Sequence, residues 1–223
     1  MAAIERILDR LRERYGEPRR HRALPPLDEL VLTILSQNTS DTNTERAYAG
    51  LRARFPTWAQ VRDADTAQLE RVLRPGGLAA QKAPRIQAVL RELSAGGGAP
   101  ALGWAASLPP AEAMARRERL PGVGPKTASC VLLFSLGVPV MPVDTHVHRV
   151  AGRLGLIPAD MGAGPAHAAL TALVPAGRML EAHLLLIRHG RETCRARRPR
   201  CRECVLLDAC PFGLLAVREE NLL

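Results

Sequence analysis

The sequence predicts an all-α protein. Nowhere in its 223 residues do Val, Ile, Thr and aromatic residues alternate in a run long enough for a strand. Apolar residues recur instead at helical spacing, as Ile4, Ile7, Leu8, Leu11 and Tyr15 do in the first segment. Residues that cap helix N-termini stand ahead of later segments, and Gly or Pro clusters separate them.

Taken in order, the first segment reads as a surface helix packed on the core, followed by the Pro- and Arg-rich turn PRRHRALPPL. Residues 27–35 form an apolar helix. Ser40 caps the next, roughly 41–54, and Thr66 caps another that reaches about Arg74. Pro75, Gly76 and Gly77 break it, and a helix from about Lys82 to Leu93 follows. AGGGAPALG, residues 95–103, predicts a flexible loop. Short helices flank 121–125. Asp144 starts a helix running to about Leu154, and two more occupy roughly 164–173 and 179–190. The stretch 194–211, rich in Arg and Cys, is read as irregular.

At roughly 150 residues per domain, this length allows one large domain or two small ones. The 47% of hydrophobic residues suffices for a core, and 24% charged residues is an ordinary share that argues against disorder. The sign balance is not ordinary. Thirty-one basic residues against 22 acidic give a net charge of +9, which suggests a polyanionic partner, nucleic acid or an acidic membrane. Two of the basic residues are Lys, Lys82 and Lys126; the rest are Arg. Two Trp, two Tyr and three Phe are too few for a surface that binds single strands by stacking. No stretch of about 20 apolar residues exists to span a bilayer. Glu5, Asp9 and Glu13 interrupt the N-terminal segment, which excludes a signal or transit peptide. A cytoplasmic protein is expected, in which Cys residues are ligands or buried thiols rather than disulfides.

Four of the five Cys, Cys194, Cys201, Cys204 and Cys210, follow a C-x6-C-x2-C-x5-C spacing. Thiolates in such a cluster close a tetrahedral shell around zinc or hold the corners of an iron–sulfur cube. Zinc sites usually pair two short knuckles; one short pair here favours a compact loop around a cube, with zinc as the alternative. Cys130, in an apolar helical run, is a core residue. Seven Arg fall between Arg188 and Arg202, against Glu192 and Glu203. They are either a solvated basic surface or a loop presenting Arg to phosphates.

LPGVGPKTA, residues 120–128, lies between two helical segments. Gly122 and Gly124 supply a tight turn with positive φ and bare amides, and Pro125 suits a first helical position. Such a turn binds a phosphate without reading sequence. Lys126 stands at that helix N-terminus, where the helix dipole disfavours a cation and so favours the neutral amine. Arg stays charged and could not play that part. In VDTHVHR, Asp144 is a helix cap or a carboxylate serving the amine. His146 and His148, at i and i+2 of a helix, point apart and do not share a metal.

LPGVGPKTA, VDTHVHR, IRHGRETCRARRPRCRECVLLDAC and LTILSQNTSDTNTERA resemble the endonuclease III family of DNA repair enzymes, over nearly the whole chain. The resemblance implies a two-lobed, helix-hairpin-helix DNA glycosylase fold. A six-helix barrel lobe would occupy residues 21–134. Residues 1–20 and 135–223 would form a discontinuous lobe with a 4Fe–4S cluster on Cys194, Cys201, Cys204 and Cys210. It implies damaged duplex DNA as partner, with the target base flipped into a cleft. It also implies removal of oxidised pyrimidines and an AP lyase step through a Lys126 Schiff base assisted by Asp144. Gly122, Gly124 and Lys126 would contact the DNA, Gln37 would fill the gap left by the flipped base, and Leu78 would wedge into the stack. From the residues alone, Gln37 is a polar residue at a helix end and Leu78 an apolar loop residue. The resemblance further implies a monomer without a nucleotide cofactor, acting in the cytoplasm at the bacterial nucleoid.

One departure concerns the wedge: Leu78 is followed by Ala79-Ala80-Gln81-Lys82, where the family often has Tyr-Asn-Ser-Lys. The loop 95–110 also looks longer than usual. A monofunctional adenine glycosylase is the nearest alternative, but it typically lacks the hairpin Lys and carries an extra C-terminal domain. A non-catalytic DNA-binding module is another, and it needs neither Lys126 nor Asp144.

Overall fold

The computed structural model describes residues 2–18, 23–95, 98–102, 108, 112–114, 116 and 120–220, and every regular element among these is helical. In chain order the helices are α1 (Ala2–Tyr15), α2 (Pro26–Leu35), α3 (Asp41–Arg54), α4 (Trp58–Asp63), α5 (Thr66–Leu73), α6 (Ala79–Glu92), α7 (Pro125–Leu136), α8 (Thr145–Arg153), α9 (Ala163–Leu173), α10 (Met179–Glu192) and α11 (Pro211–Glu220). Among the described residues no single helix is long and apolar enough to cross a membrane. Most of the loop expected at 95–110 falls outside the described residues; of the first helix flanking 121–125, residues 112–114 and 116 are described and are helical.

The chain divides into two compact units, residues 23–138 and residues 1–22 with 139–223. In the first, α2 packs along α7, and α3, α5 and α6 close around them. Leu30, Ile34 and Leu35 of α2 meet Leu51, Leu69, Leu73, Ile86, Leu90 and Val131 in one apolar cluster. In the second, α10 is the central element, flanked by α1 and α8. Ile4, Leu8 and Leu11 of α1 are fully buried, as the 3–4 spacing of that segment requires.

Local chemistry sets most boundaries. The Ser40 hydroxyl accepts from the Asn43 amide at 3.3 Å, capping α3 as expected. At α5 the cap is one residue earlier than expected. Asp65 accepts from the Gln68 amide at 2.9 Å, which frees Thr66 to donate its hydroxyl to Gln87 Oε1 at 2.7 Å. α6 starts three residues before the expected Lys82, because Ala79 and Ala80 are good helix formers. α4, absent from the sequence reading, rests on a capping box: Thr57 Oγ1 accepts from the Gln60 amide, and Gln60 Oε1 accepts from the Thr57 amide. α11 is also additional to that reading, with Pro211 at its start.

Gln87 of α6 is 1% exposed. Its amide nitrogen donates to the carbonyls of Ala64 at 2.7 Å and Val61 at 3.3 Å, joining the end of α4 to the start of α5. Gln87→Leu keeps the volume but leaves those buried carbonyls without this donor. It should lower the stability of the chain by about 1–3 kcal/mol in urea unfolding.

Candidate functional site

Residues 23–138 carry Gln37, Leu78, Gly122, Gly124 and Lys126; Asp144 and the four cysteines belong to the other unit. The hairpin before α7 closes through the Val123 amide donating to the Leu120 carbonyl at 3.0 Å, with both side chains buried. Gly122 has φ +72, and a Cβ there would sit 2.6 Å from Arg85. Gly124 differs from expectation: its φ is −87, an extended conformation open to any residue. Its role is the N-cap of α7, with Pro125 at the first helical position and Lys126 at the second. The one glycine of the pair that requires positive φ is therefore Gly122.

Lys126 is half-buried in the first turn of α7. It acts electrostatically on Glu29 of α2, a carboxylate the sequence reading did not single out. Burial pushes the Glu29 carboxyl above its usual range, against the Thr33 hydroxyl that donates to it at 3.3 Å and the charge of Lys126. Gln37 sits in the turn after α2. Its Oε1 accepts from Arg85 at 2.8 Å, and its Nε2 approaches Thr127 Oγ1, beside Lys126, at 3.4 Å. Gln37, Arg85, Gly122 and Lys126 thus belong to one neighbourhood.

Leu78 is the N-cap of α6, in the left-handed conformation at φ 51 and ψ 35. Such a conformation costs a non-glycine residue on the order of 1–2 kcal/mol. Its side chain is 44% exposed, among the largest apolar exposures in the described residues. Strain and apolar exposure on one side chain are both unfavourable in the free protein, a combination typical of functional loops.

In the other unit, Asp144 caps α8, its Oδ1 accepting from the Val147 amide at 2.7 Å. The segment leading to it is pinned by buried groups. His167 Nδ1 bonds the Met141 carbonyl and His183 Nδ1 the Pro142 carbonyl, each at 2.9 Å, and Thr171 Oγ1 accepts from the Met141 amide at 2.8 Å. His148 Nε2 bonds the Met161 carbonyl while His146 Nδ1 meets Arg149, so these two imidazoles serve different partners.

Cys194, Cys201, Cys204 and Cys210 line a single cavity together with His189, Arg153, Phe212 and Gly213. Among the described residues no three His, Cys, Asp or Glu side chains meet around one metal-ion position. The sulfurs already have donors: the Leu206 amide reaches Cys204 Sγ at 3.4 Å and the Gly213 amide reaches Cys210 Sγ at 3.3 Å. Burial pushes the Cys204 and Cys210 thiols up. The same burial pushes His189 down to about 4, so its ring is neutral at pH 7. Its Nδ1 bonds the Tyr15 hydroxyl at 3.0 Å, and its Nε2 faces Cys204 Sγ at 3.7 Å.

Two arginines missed in the sequence reading clamp this loop. Arg153 of α8 donates to Cys194 Sγ at 3.4 Å and to the Arg195 carbonyl at 2.7 Å, and stacks on Phe212 at 4.2 Å. Arg149 donates to the carbonyls of Cys194 at 3.0 Å and Gly190 at 2.8 Å. Their i, i+4 spacing on the VDTHVHR helix was the available signal. Arg195, Arg197, Arg198 and Arg200 are exposed on the loop itself.

The two hairpin glycines should separate on mutation. Gly122→Ala, with positive φ and Arg85 in the way, should cost at least about 1–2 kcal/mol in chemical unfolding. Gly124→Ser, at an extended N-cap, should leave stability unchanged or slightly raised.

This geometry has known counterparts. Residues 31–176 match the model of the HhH-GPD superfamily base excision DNA repair proteins. Endonuclease III of Thermotoga maritima is 32% identical over 211 residues, 94% of this chain and 92% of its own length. A relative from Arabidopsis thaliana is 38% identical over 165 residues, and the chain spans 56% of that protein. A solved structure of endonuclease III trapped as a covalent intermediate with DNA superposes with a TM-score of 0.79 at 29% identity, covering 96% of this chain and 97% of that one. The chain belongs to the endonuclease III family, within the HhH-GPD superfamily of base excision DNA repair proteins.

Proposed function

We propose that this protein is a bifunctional DNA glycosylase that removes oxidised pyrimidines from duplex DNA and then nicks the abasic strand. The observation that carries the reading is a lysine in the first turn of the hairpin helix. Lys126 is half-buried on α7, two residues beyond the N-capping Gly124, in a neighbourhood shared with Gln37 and Gly122. Phosphate binding at a helix N-terminus needs backbone amides rather than an amine. An amine there supports nucleophilic chemistry.

In this reading the neutral Lys126 Nζ attacks the anomeric carbon of the deoxyribose. The glycosidic bond breaks and the damaged base leaves. Loss of the amine proton and opening of the sugar give a protonated Schiff base. Removal of a proton from the adjacent C2′ then expels the 3′ phosphate. Water finally releases the sugar and restores Lys126. Asp144 takes the amine proton or stabilises the sugar cation. The hairpin amides at Gly122 and Gly124 hold a phosphate, Gln37 fills the vacated base position, and Leu78 enters the stack. The strain and exposure of Leu78 support that last role. A chain of this kind acts as a monomer in the cytoplasm, at the nucleoid.

Cys194, Cys201, Cys204 and Cys210 are the residues that would hold a 4Fe–4S cluster. They line one cavity, amide donors already address two of the sulfurs, and Arg149 and Arg153 brace the loop. Sulfurs distributed around a cavity wall suit a cube better than a single zinc ion, whose ligands meet about 2.3 Å from one point. When bound, the cluster supplies iron–thiolate bonds that cross-link the loop, and the exposed arginines on it are then presented to DNA phosphates.

Borohydride should trap wild-type protein covalently on duplex containing an abasic site or an oxidised pyrimidine. Lys126→Gln should abolish trapping; equal trapping by that variant overturns the mechanism. Purified protein should be yellow-brown, with about four irons per chain. A colourless protein carrying one zinc would overturn the cluster assignment.

A further inference from the structure

Lys82 is the other lysine in a chain of 29 arginines. It is 2% exposed, on α6. Its Nζ donates to the Leu35 carbonyl at 2.6 Å and to the Gly76 carbonyl at 2.9 Å. Leu35 ends α2, two residues before Gln37. Gly76 lies two residues before Leu78, and its backbone is pressed so closely on α3 that a Cβ would meet that of Ala47 at 2.9 Å. Three residues further along α6, Arg85 donates to Gln37 and lies over Gly122. A single face of α6 therefore reaches the loop of Gln37, the turn of Leu78 and the hairpin.

We propose that Lys82 is a positioning residue for DNA engagement, its buried ammonium fixing the loops of Gln37 and Leu78 relative to each other so that both enter the duplex together. The proposal rests on the glycosylase–lyase reading above. The ammonium suits the task because it is compact and carries three donors that two carbonyls can share. A guanidinium is a larger planar fork, suited to carboxylates and phosphates rather than to two converging carbonyls. Displacing positioning groups by about 1 Å can cost a hundredfold in rate.

The test compares abasic-site nicking by the full-length protein in duplex and in single-stranded DNA, because a single strand has no stack to wedge and no opposite base to leave unpaired. Lys82→Met should lower kcat/KM on duplex roughly tenfold or more, with the single-strand value within about twofold of wild type. Leu78→Ala should show the same selective loss, and the double variant should fall little below the worse single one, as expected when two changes disable one device. Equal losses on both substrates, no loss on duplex, or additive losses would each overturn the proposal. If Lys82→Met does not fold, Lys82→Gln, uncharged and too short to span both carbonyls as the ammonium does, is put through the same comparison and judged by the same outcomes. A wild-type protein that nicks neither substrate would overturn the underlying functional reading instead, and is distinguishable because no variant is involved.

Discussion

The last carbonyls of an α-helix have no donor within the helix. In residues 23–138 the carbonyl that closes α2 finds its donor in a side chain 47 residues away, Lys82 of α6. The ammonium is itself buried, so it needs those carbonyls as much as they need it. This mutual requirement fixes how α6 lies on α2. That placement determines where Leu78 projects at the head of α6 and where Arg85 meets Gln37 and the hairpin. The apolar cluster around Leu30, Ile34, Ile86 and Leu90 supplies most of the burial, but apolar contacts are non-directional. The polar contacts set the register.

The other unit solves the same problem with the same kind of group. Arg149 and Arg153 of α8 answer carbonyls at the end of α10 and in the cysteine loop. Arg188 of α10 donates to the Tyr15 carbonyl at the end of α1. A share of the basic residues behind the +9 net charge is therefore structural, closing helix ends within the fold. Bonded to neutral carbonyls, these guanidiniums keep their charge, and the exposed arginines of the cysteine loop add to the same positive field.

Features set by nearby residues were legible in the sequence, because their physics is local. The caps by Ser40 and Asp144, the Pro125 start of α7 and the helical period of α1 each depend on a few adjacent residues. Gly124 was misread as a positive-φ residue because composition does not distinguish a turn glycine from an N-cap glycine. α4 escaped because six residues show too little periodicity, even though Thr57 and Gln60 spell its capping box. Lys82 and Gln87 could not be interpreted at all, and the i, i+4 spacing of Arg149 and Arg153 hinted at a shared helix face without naming its partner. The carbonyls they bind lie up to 47 residues away, and a long polar side chain aimed at a remote carbonyl does not reveal its partner locally. The cysteine spacing identified a ligand set, whereas the hydrogen bonds to the sulfurs became visible only in three dimensions.

The burial of Lys82 has a practical side. With that ammonium sealed beneath two loops, Lys126 is the one lysine side chain that solvent can reach. In most DNA-binding proteins, amine-selective chemistry labels a crowd of surface lysines and says little about any of them. In this chain the crowd is arginine, and side-chain acylation or reductive alkylation reports on a single position. The scarcity of lysine among the basic residues turns the candidate nucleophile into a unique chemical handle.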